Sequence, residues 1–288
     1  MKKGEKDMDG IILIDKPLGY TSHDIVGKVR RVLHTKKVGH CGTLDPEASG
    51  VLVVCVNKAT KALQFLTSED KHYVATIKLG ISTDTYDMTG TIQNQVPYRN
   101  DISLEQLDHV LTQFKGKQKQ IPPIYSAIKV NGKKLYEYAR AGETVEIQPR
   151  DIEIYSIECV ALNEDEIQIR VHCSKGTYIR SLCVDIACAL GYPGCMSALK
   201  RTQSGPFKLE DCVSLEALEN NQFEMITLDE ALAHLPSLTI EDEKIVYHGK
   251  TIDSALEGQI AIKNKEGHIL AIYEQIGNHT LKNVRGLW

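Results

Sequence analysis

The sequence lacks most of the signatures by which common chemistries are read from a chain. No apolar run exceeds about seven residues, against the ~20 that a membrane-spanning helix needs, so no membrane partner is expected. No G-x-G-x-x-G follows a strand, and neither a Walker pattern nor a G-x-S-x-G elbow occurs. Dinucleotide binding, P-loop chemistry and the hydrolase elbow therefore fall away. The eight cysteines, at 41, 55, 159, 173, 183, 188, 195 and 212, never form a C-x-x-C pair, and there is no H-E-x-x-H. Linear spacing thus offers no zinc site, and neither metal nor cofactor is expected. The charged opening from Met1 to Asp7 has no apolar stretch behind it. It is expected to be a frayed tail (1–9) and no secretory signal, with the cysteines free thiols in a cytoplasmic protein.

What is present is an ordinary globular composition, 42% hydrophobic and 25% charged over 288 residues. That is enough for one large domain, or a large one plus a small one. The net charge of −4 argues at first against a polyanionic partner. Its distribution changes the reading. From Glu210 to Glu243 there are ten acids and no Lys or Arg. The rest of the chain carries 34 bases against 28 acids, a net +6, which permits a basic face.

The most informative stretch runs from Gly39 to Gly50 (GHCGTLDPEASG). Its three glycines predict a shaped loop and no strand interior. Pro46 biases Asp45 towards extended geometry, and Val51–Val56 follows as a buried strand. A carboxylate on a stiff turn feeding the core suits a reacting group. An ordinary Asp-Pro turn with His40 as a loop residue is the plain alternative. Cys41 is expected to fill space there.

Along the rest of the chain, Gly10–Ile14 reads as a strand and Thr21–Asp24 as a capping box opening a helix. Lys28, Arg30 and Arg31 on that helix, with Lys36 and Lys37, are either a solvated face or phosphate contacts. Ala59–Leu66 reads as a short helix and Tyr73–Gly80 as an alternating strand starting at Tyr73. Thr83–Gly90 reads as a polar loop and Ser103–Phe114 as an amphipathic helix. Lysines and tyrosines interleave from Lys115 to Arg150 around an Asn131-Gly132 hairpin signal. That suits an arm laid on looped RNA, or a plain surface hairpin. A strand hairpin over 151–172 precedes a helix expected to be capped by Thr177 and to run to Leu190. Arg180 in its first turn opposes the helix dipole and needs a carboxylate or phosphate partner. Ala198–Thr202 reads as a strand, and two short helices are expected near 214–220 and 228–235. Beyond a composition break at Pro236, short strands with turns at 264–267 and Gly277-Asn278 make a small β module.

What chemistry remains is that of a carboxylate with an Arg partner, fit for attack on a sugar or base carbon. Asp87 is the only loop carboxylate to name as a second group for a glycosidase-like pair. A small-molecule nucleosidase and a non-catalytic RNA-binding protein both stay open.

Several ordered segments resemble the bacterial tRNA pseudouridine-55 synthase family. These are Ile14–Pro17, the His40–Asp45 loop, Tyr73, Thr83–Gly90, Tyr125–Tyr138, Ser174–Arg180 and Leu199 before two basic residues. The resemblance implies an α+β fold with a mixed, mainly antiparallel sheet flanked by helices. It implies a catalytic domain over 10–235 with an RNA-binding thumb-like insertion at 115–150, and a small PUA-like RNA-binding module over 236–288. It implies cofactor-free isomerisation of the T-loop uridine of tRNA to pseudouridine, after that uridine is flipped out of its stack. Asp45 would be the nucleophile, His40 would fill the vacated space and Tyr73 would stack on the uracil. Arg180 would pair with Asp45, Tyr178 and Leu199 would wall the pocket, and Lys16 and Asp87 would support it. Whether Asp45 attacks sugar or base, or acts as a base, stays open. The partner is then a tRNA T stem-loop and not DNA, and a monomer is expected.

Overall fold

The computed structural model describes residues 9–67, 70–277 and 279–288. Most of the expected tail, and Asn278 of the expected last turn, lie outside the described residues. The chain forms two compact units, one of Met1–Pro46, Gly50–Ser68 and Pro206–Trp288, the other of Glu47–Ser49 and Glu69–Gly205.

The first unit begins with β1 (Gly10–Lys16), in which Ile11 to Ile14 are all buried. Next comes α1 (Ser22–Val32), closed at its N-terminus by the expected box: Thr21 accepts from Asp24 N and the Asp24 carboxylate accepts from Thr21 N. Its apolar stripe of Ile25, Val26 and Val29 is buried. Then follow β2 (Val38–Cys41) and β3 (Ala48–Val56). Strand β3 pairs antiparallel with β1, from Gly10↔Val56 to Lys16↔Gly50, and with β2, from Val38↔Val56 to Cys41↔Val53.

The segment Gly39–Gly50 is therefore not loop throughout, as its glycines predict. Only Gly42–Glu47 is a turn. Gly39 sits within β2 because a Cβ there would lie 2.8 Å from Leu63 Cδ1, so that glycine serves packing. Gly42 (φ 70°) and Gly50 (φ 102°) do need the left-handed region. The helix expected over Ala59–Leu66 is a 3-10 turn, Asn57–Ala62, followed by α2 (Leu63–Thr67).

The second unit contains β4 (Lys71–Leu79), β5 (Ile81–Thr83), β6 (Ile92–Gln95) and α3 (Leu104–Gln113). There follow β7 (Gly116–Gln120), β8 (Lys129–Val130), β9 (Lys133–Lys134) and α4 (Leu135–Ala141). It continues with β10 (Arg150–Asn163), β11 (Glu166–Cys173), α5 (Ile179–Ala189) and β12 (Gly194–Ser204). Strands run in the order β12-β4-β11-β10-β7, each of these pairs antiparallel. Tyr73, Ala75, Ile77 and Leu79 are buried on one face, the period-2 signature of a half-buried strand. Strand β4 starts at Lys71, so Tyr73 is its third residue. Asn131 (φ 51°) and Gly132 (φ 82°) form the two-residue β8–β9 turn, as their type predicts.

The expected Thr177 cap of α5 is not found. Thr177 turns its hydroxyl back to Ser174 O (3.0 Å). Tyr178 is the N-cap and has no side-chain cap bond. The Gln120 amide takes over: its Oε1 accepts from Tyr178 N (2.8 Å) and its Nε2 donates to Tyr178 O (3.0 Å). A primary amide offers both roles, which a threonine hydroxyl bent towards Ser174 cannot.

The first unit resumes with β13 (Phe207–Lys208), α6 (Leu215–Glu219) and α7 (Leu228–Ala231), the helices shorter than their patterns predict. It ends with β14 (Ser237–Thr239), α8 (Lys244–Tyr247), β15 (Ile252–Asp253), β16 (Gln259–Lys263), β17 (Ile269–Gln275) and β18 (Thr280–Gly286). These strands form a five-stranded sheet ordered β14-β16-β17-β18-β15, antiparallel but for β14 with β16. One face packs around Val246, Ile260 and Tyr273. Ala261, Ile269, Ile272 and Leu287 join Ile11, Leu13, Val51, Val53 and Phe65 in a single core. The chain is thus mixed α and β, with mainly antiparallel sheet and a C-terminal β module.

Candidate active site

In the first unit, the Gly42–Glu47 turn is anchored from three sides. Ser22 Oγ donates to Leu44 O (3.0 Å) and accepts from Leu44 N (2.8 Å), both bonds buried. Gly19 N donates to Pro46 O (2.9 Å). Lys16 is fully buried, and its Nζ donates to Tyr20 O (2.6 Å), Pro17 O (3.0 Å) and Pro46 O (3.5 Å). An ammonium has three donors, so these carbonyls suit its burial. The main chain on both sides of Asp45 is therefore fixed, and Asp45 itself is half-buried. His40 stands on β2 opposite Val54 and is half-buried.

Cys41 fills space, as expected. It is 1% exposed, with its Sγ 3.9 Å from Cys55 Sγ. The hydrogen bond to Cys41, and then burial, pushes the Cys55 thiol well above its usual range, so Cys55 offers no thiolate nucleophile.

In the second unit, the Thr83–Gly90 loop is the tip of the β5–β6 hairpin. Asp87 is buried within it. Its Oδ1 accepts from Thr85 Oγ1 (2.7 Å), Thr89 Oγ1 (2.6 Å) and Thr89 N (3.0 Å), and its main-chain O accepts from Thr83 Oγ1 (2.6 Å). Gly90 has no alternative, since a Cβ there would lie 2.3 Å from Thr85 Oγ1 and 2.4 Å from Asp84 Oδ1. Arg180, in the first turn of α5, is 8% exposed. Its Nη1 donates to Thr85 O (2.9 Å) and lies 3.6 Å from Asp87 Oδ2, while Nη2 donates to Tyr125 O (3.0 Å). Asp87 is thus a carboxylate partner of the kind expected for an Arg against the helix dipole. Tyr125 OH donates to Asp84 Oδ2 (3.3 Å). Burial first, and then the Asp84 charge, raises the Tyr125 hydroxyl pKa, which keeps it a donor.

Tyr73 is buried on β4, between Val171 of β11 and Arg201 of β12 in register. Tyr178 is half-buried, and so is Leu199 opposite Ala75. Tyr73, Asp87, Tyr178, Arg180 and Leu199 therefore belong to the second unit, and Lys16, His40 and Asp45 to the first. Sequence reasoning missed Ser22, Gln120 and Tyr125 as positioning residues. Ser22 hid beside the Thr21 cap, and Gln120 hid at the end of a strand of alternating lysines.

Two basic stretches resolve differently. On α1, Lys28 pairs with Glu219 (2.6 Å) and Arg30 Nη2 donates to Val38 O (3.2 Å), so those two cations have structural partners. On the β8–α4 arm, Lys133 lies over the Tyr138 ring (4.6 Å), and Lys134 and Arg140 lie over Tyr136 (5.4 Å each). Cations and rings are displayed together there.

Comparison with known proteins finds relatives along nearly the whole chain. The N-terminal domain model of the TruB family of pseudouridylate synthases matches residues 30–179, and the C-terminal domain model of tRNA pseudouridylate synthase B matches residues 180–237. The tRNA pseudouridine synthase B of Bacillus velezensis is 46% identical over 286 residues, covering 92% of this chain and 93% of that protein. The protein of the same name from Bacillus subtilis is 45% identical, again covering 92% and 93%. Among solved structures, an H/ACA ribonucleoprotein bound to a substrate RNA containing 2′-deoxyuridine aligns with a TM-score of 0.73 at 26% identity, covering 98% of this chain and 86% of that one. A Cbf5-Nop10-Gar1 complex aligns with a TM-score of 0.74 at 29% identity, covering 96% and 82%.

Proposed function

The chain belongs to the TruB family of pseudouridylate synthases, and on that premise we propose how its residues divide the reaction. It forms pseudouridine in tRNA, as an isomerase. The observation that carries this reading is collinear identity of about 45% to tRNA pseudouridine synthases over more than nine-tenths of the chain.

The substrate nucleotide is the T-loop uridine at position 55. The N1–C1′ glycosidic bond breaks, the uracil rotates while held, and a C5–C1′ bond forms. C5 gives up its proton and N1 gains one. No group enters or leaves overall, and no cofactor is called for. Asp45 acts as the nucleophile, supported by the anchoring of the main chain on either side of it, because a reacting carboxylate must keep its position. Arg180, tied to Asp87, pairs with the Asp45 carboxylate. Tyr73 stacks on the uracil after it leaves its loop stack, His40 occupies the space left behind, and Tyr178 and Leu199 line the pocket. The arm over 115–150 grips the stem-loop, supported by its stacked cations and tyrosines. The five-strand module from Ser237 to Gly286 acts as a PUA-like RNA-binding unit. The enzyme works as a monomer in the cytoplasm. No helix among the described residues is long and apolar enough to cross a membrane.

The test is incubation with in-vitro transcribed tRNA labelled as [5-³H]uridine, followed by mapping of pseudouridine at nucleotide resolution. Tritium release with one modified position in the T loop is the expected result. Modification elsewhere would overturn the site assignment, and release by an Asp45→Asn variant would overturn the nucleophile.

A further inference from the structure

Apart from the residues discussed so far, the second unit gathers three metal-ligand side chains. His72 on β4 and His172 on β11 are direct cross-strand partners. Their rings stack with centroids 3.9 Å apart and planes 10° from parallel. Asp70, just before β4, contacts His172 Nε2 through Oδ2. One ligand atom from each residue lies within 4.8 Å of the other two. Linear spacing hides the group, because 102 residues separate Asp70 from His172.

We propose that Asp70, His72 and His172 form a binding site for a divalent first-row transition ion of the zinc class. Two imidazole nitrogens and one carboxylate oxygen suit Zn²⁺, whereas Mg²⁺ and Ca²⁺ select oxygen donors. Three protein ligands leave a fourth position for water or a small anion. Tetrahedral Zn²⁺ with bonds of about 2.1 Å sets its ligand atoms roughly 3.4 Å apart, so the Asp70–His172 contact opens and no pair has to close by more than about 1.4 Å. Stacked rings aim their in-plane lone pairs side by side, and a χ2 rotation of one imidazole makes them converge. There is room for it: the His172 and Asp70 side chains are 27% and 34% exposed, so an ion also has access from solvent. The Tyr155 ring, 4.7 Å from that of His172, backs the group.

The frame is firm. Strands β4 and β11 pair without interruption from Lys78↔Glu166 to Lys71↔Cys173. His72 and Tyr73 are adjacent on a strand and so point to opposite faces. The ion therefore sits on the face away from Tyr73. Cys173 is fully buried, with its Sγ donating to Lys71 O (3.8 Å), and is not among the ligands. A bound ion ties β4 to β11 one residue before Tyr73 on one strand and one residue before Cys173 on the other.

The experiment uses the full chain, stripped with a chelator and titrated calorimetrically with ZnCl₂. One ion per chain is expected, with a rise in unfolding temperature. His72→Ala and His172→Ala should each weaken binding at least about tenfold, ~1.4 kcal/mol, remove the thermal shift and leave metal-free pseudouridine formation unchanged. Titration with Co²⁺ reads the donor set without any substitution. A d–d spectrum lacking a thiolate charge-transfer band is expected. A thiolate band, undiminished Zn²⁺ binding by the folded His72→Ala/His172→Ala double variant, or no stoichiometric binding by the wild type would each overturn the proposal.

Discussion

Two turns, each built around an aspartate, are held by different sets of bonds. Around Asp45 the grip falls on main-chain atoms: Ser22 on both polar groups of Leu44, and Gly19 and Lys16 on Pro46 O. Around Asp87 it includes the carboxylate itself, through Thr85, Thr89 and Arg180, besides the main-chain O held by Thr83. The first arrangement fixes the platform from which a side chain is presented. The second turns a carboxylate into an immobile charge that orients an arginine. Both are polar loops of similar composition, so residue type alone does not separate presenter from anchor.

The contrast can be broken at several points. Asp45→Asn keeps the anchored platform and removes the presented charge. It should lower tritium release at least about a thousandfold, ~4 kcal/mol, with the unfolding midpoint within about 0.5 kcal/mol of wild type and T-stem-loop affinity within about tenfold. Asp87→Ala should behave in reverse. It removes the carboxylate beside the buried Arg180 and the acceptor that Thr85 and Thr89 share, and should cost about 3 kcal/mol in denaturant unfolding, with activity falling as a consequence. Wild-type stability for this variant would show that the anchor is not one. Ser22→Ala removes the platform's reciprocal bond and leaves two buried main-chain groups unsatisfied. A loss of about 1–3 kcal/mol is expected, with a smaller fall in turnover than Asp45→Asn produces.

The smallest effect belongs to a third aspartate that combines both grips. Asp229 accepts from Ile269 N (2.6 Å) and meets His268 Nδ1 (2.9 Å). That side-chain hydrogen bond, and then the Asp229 charge, raises the His268 pKa above 6.5. A raised folded-state pKa stabilises fully below the unfolded value and is lost as pH rises through the folded one. Wild type should therefore lose slightly more thermal stability than His268→Gln between pH 6 and 8. Equal slopes would show that only the main-chain grip counts.

Much of this was legible before any coordinates. The alternation of Tyr73, Ala75, Ile77 and Leu79, the Thr21–Asp24 box and the Asn131-Gly132 turn each rest on neighbours in sequence, and each formed. The glycines of Gly39–Gly50 misled because Gly39 answers to Leu63, which no local rule reveals. The Thr177 cap failed for the same kind of reason, since Gln120 reaches Tyr178 from 58 residues away. Of the candidate site, the motif residues were named through resemblance. Asp87 as the partner of Arg180, Ser22 under Leu44 and the Asp70–His72–His172 group depend on pairing across strands and loops, and so emerge only once the chain has folded.

The core that joins Ile11, Leu13 and Val51 to Ala261, Ile272 and Leu287 also sets an order of events on the ribosome. Glu69–Gly205 is continuous and forms its strand pairs as it emerges. The strands flanking Asp45 emerge earlier, yet the partners that complete their core arrive last. Long-range closure of this kind is slow. The nascent chain therefore holds the β8–α4 arm before it holds a finished Asp45 turn, whose core closes only once the segment beyond Pro206 has docked.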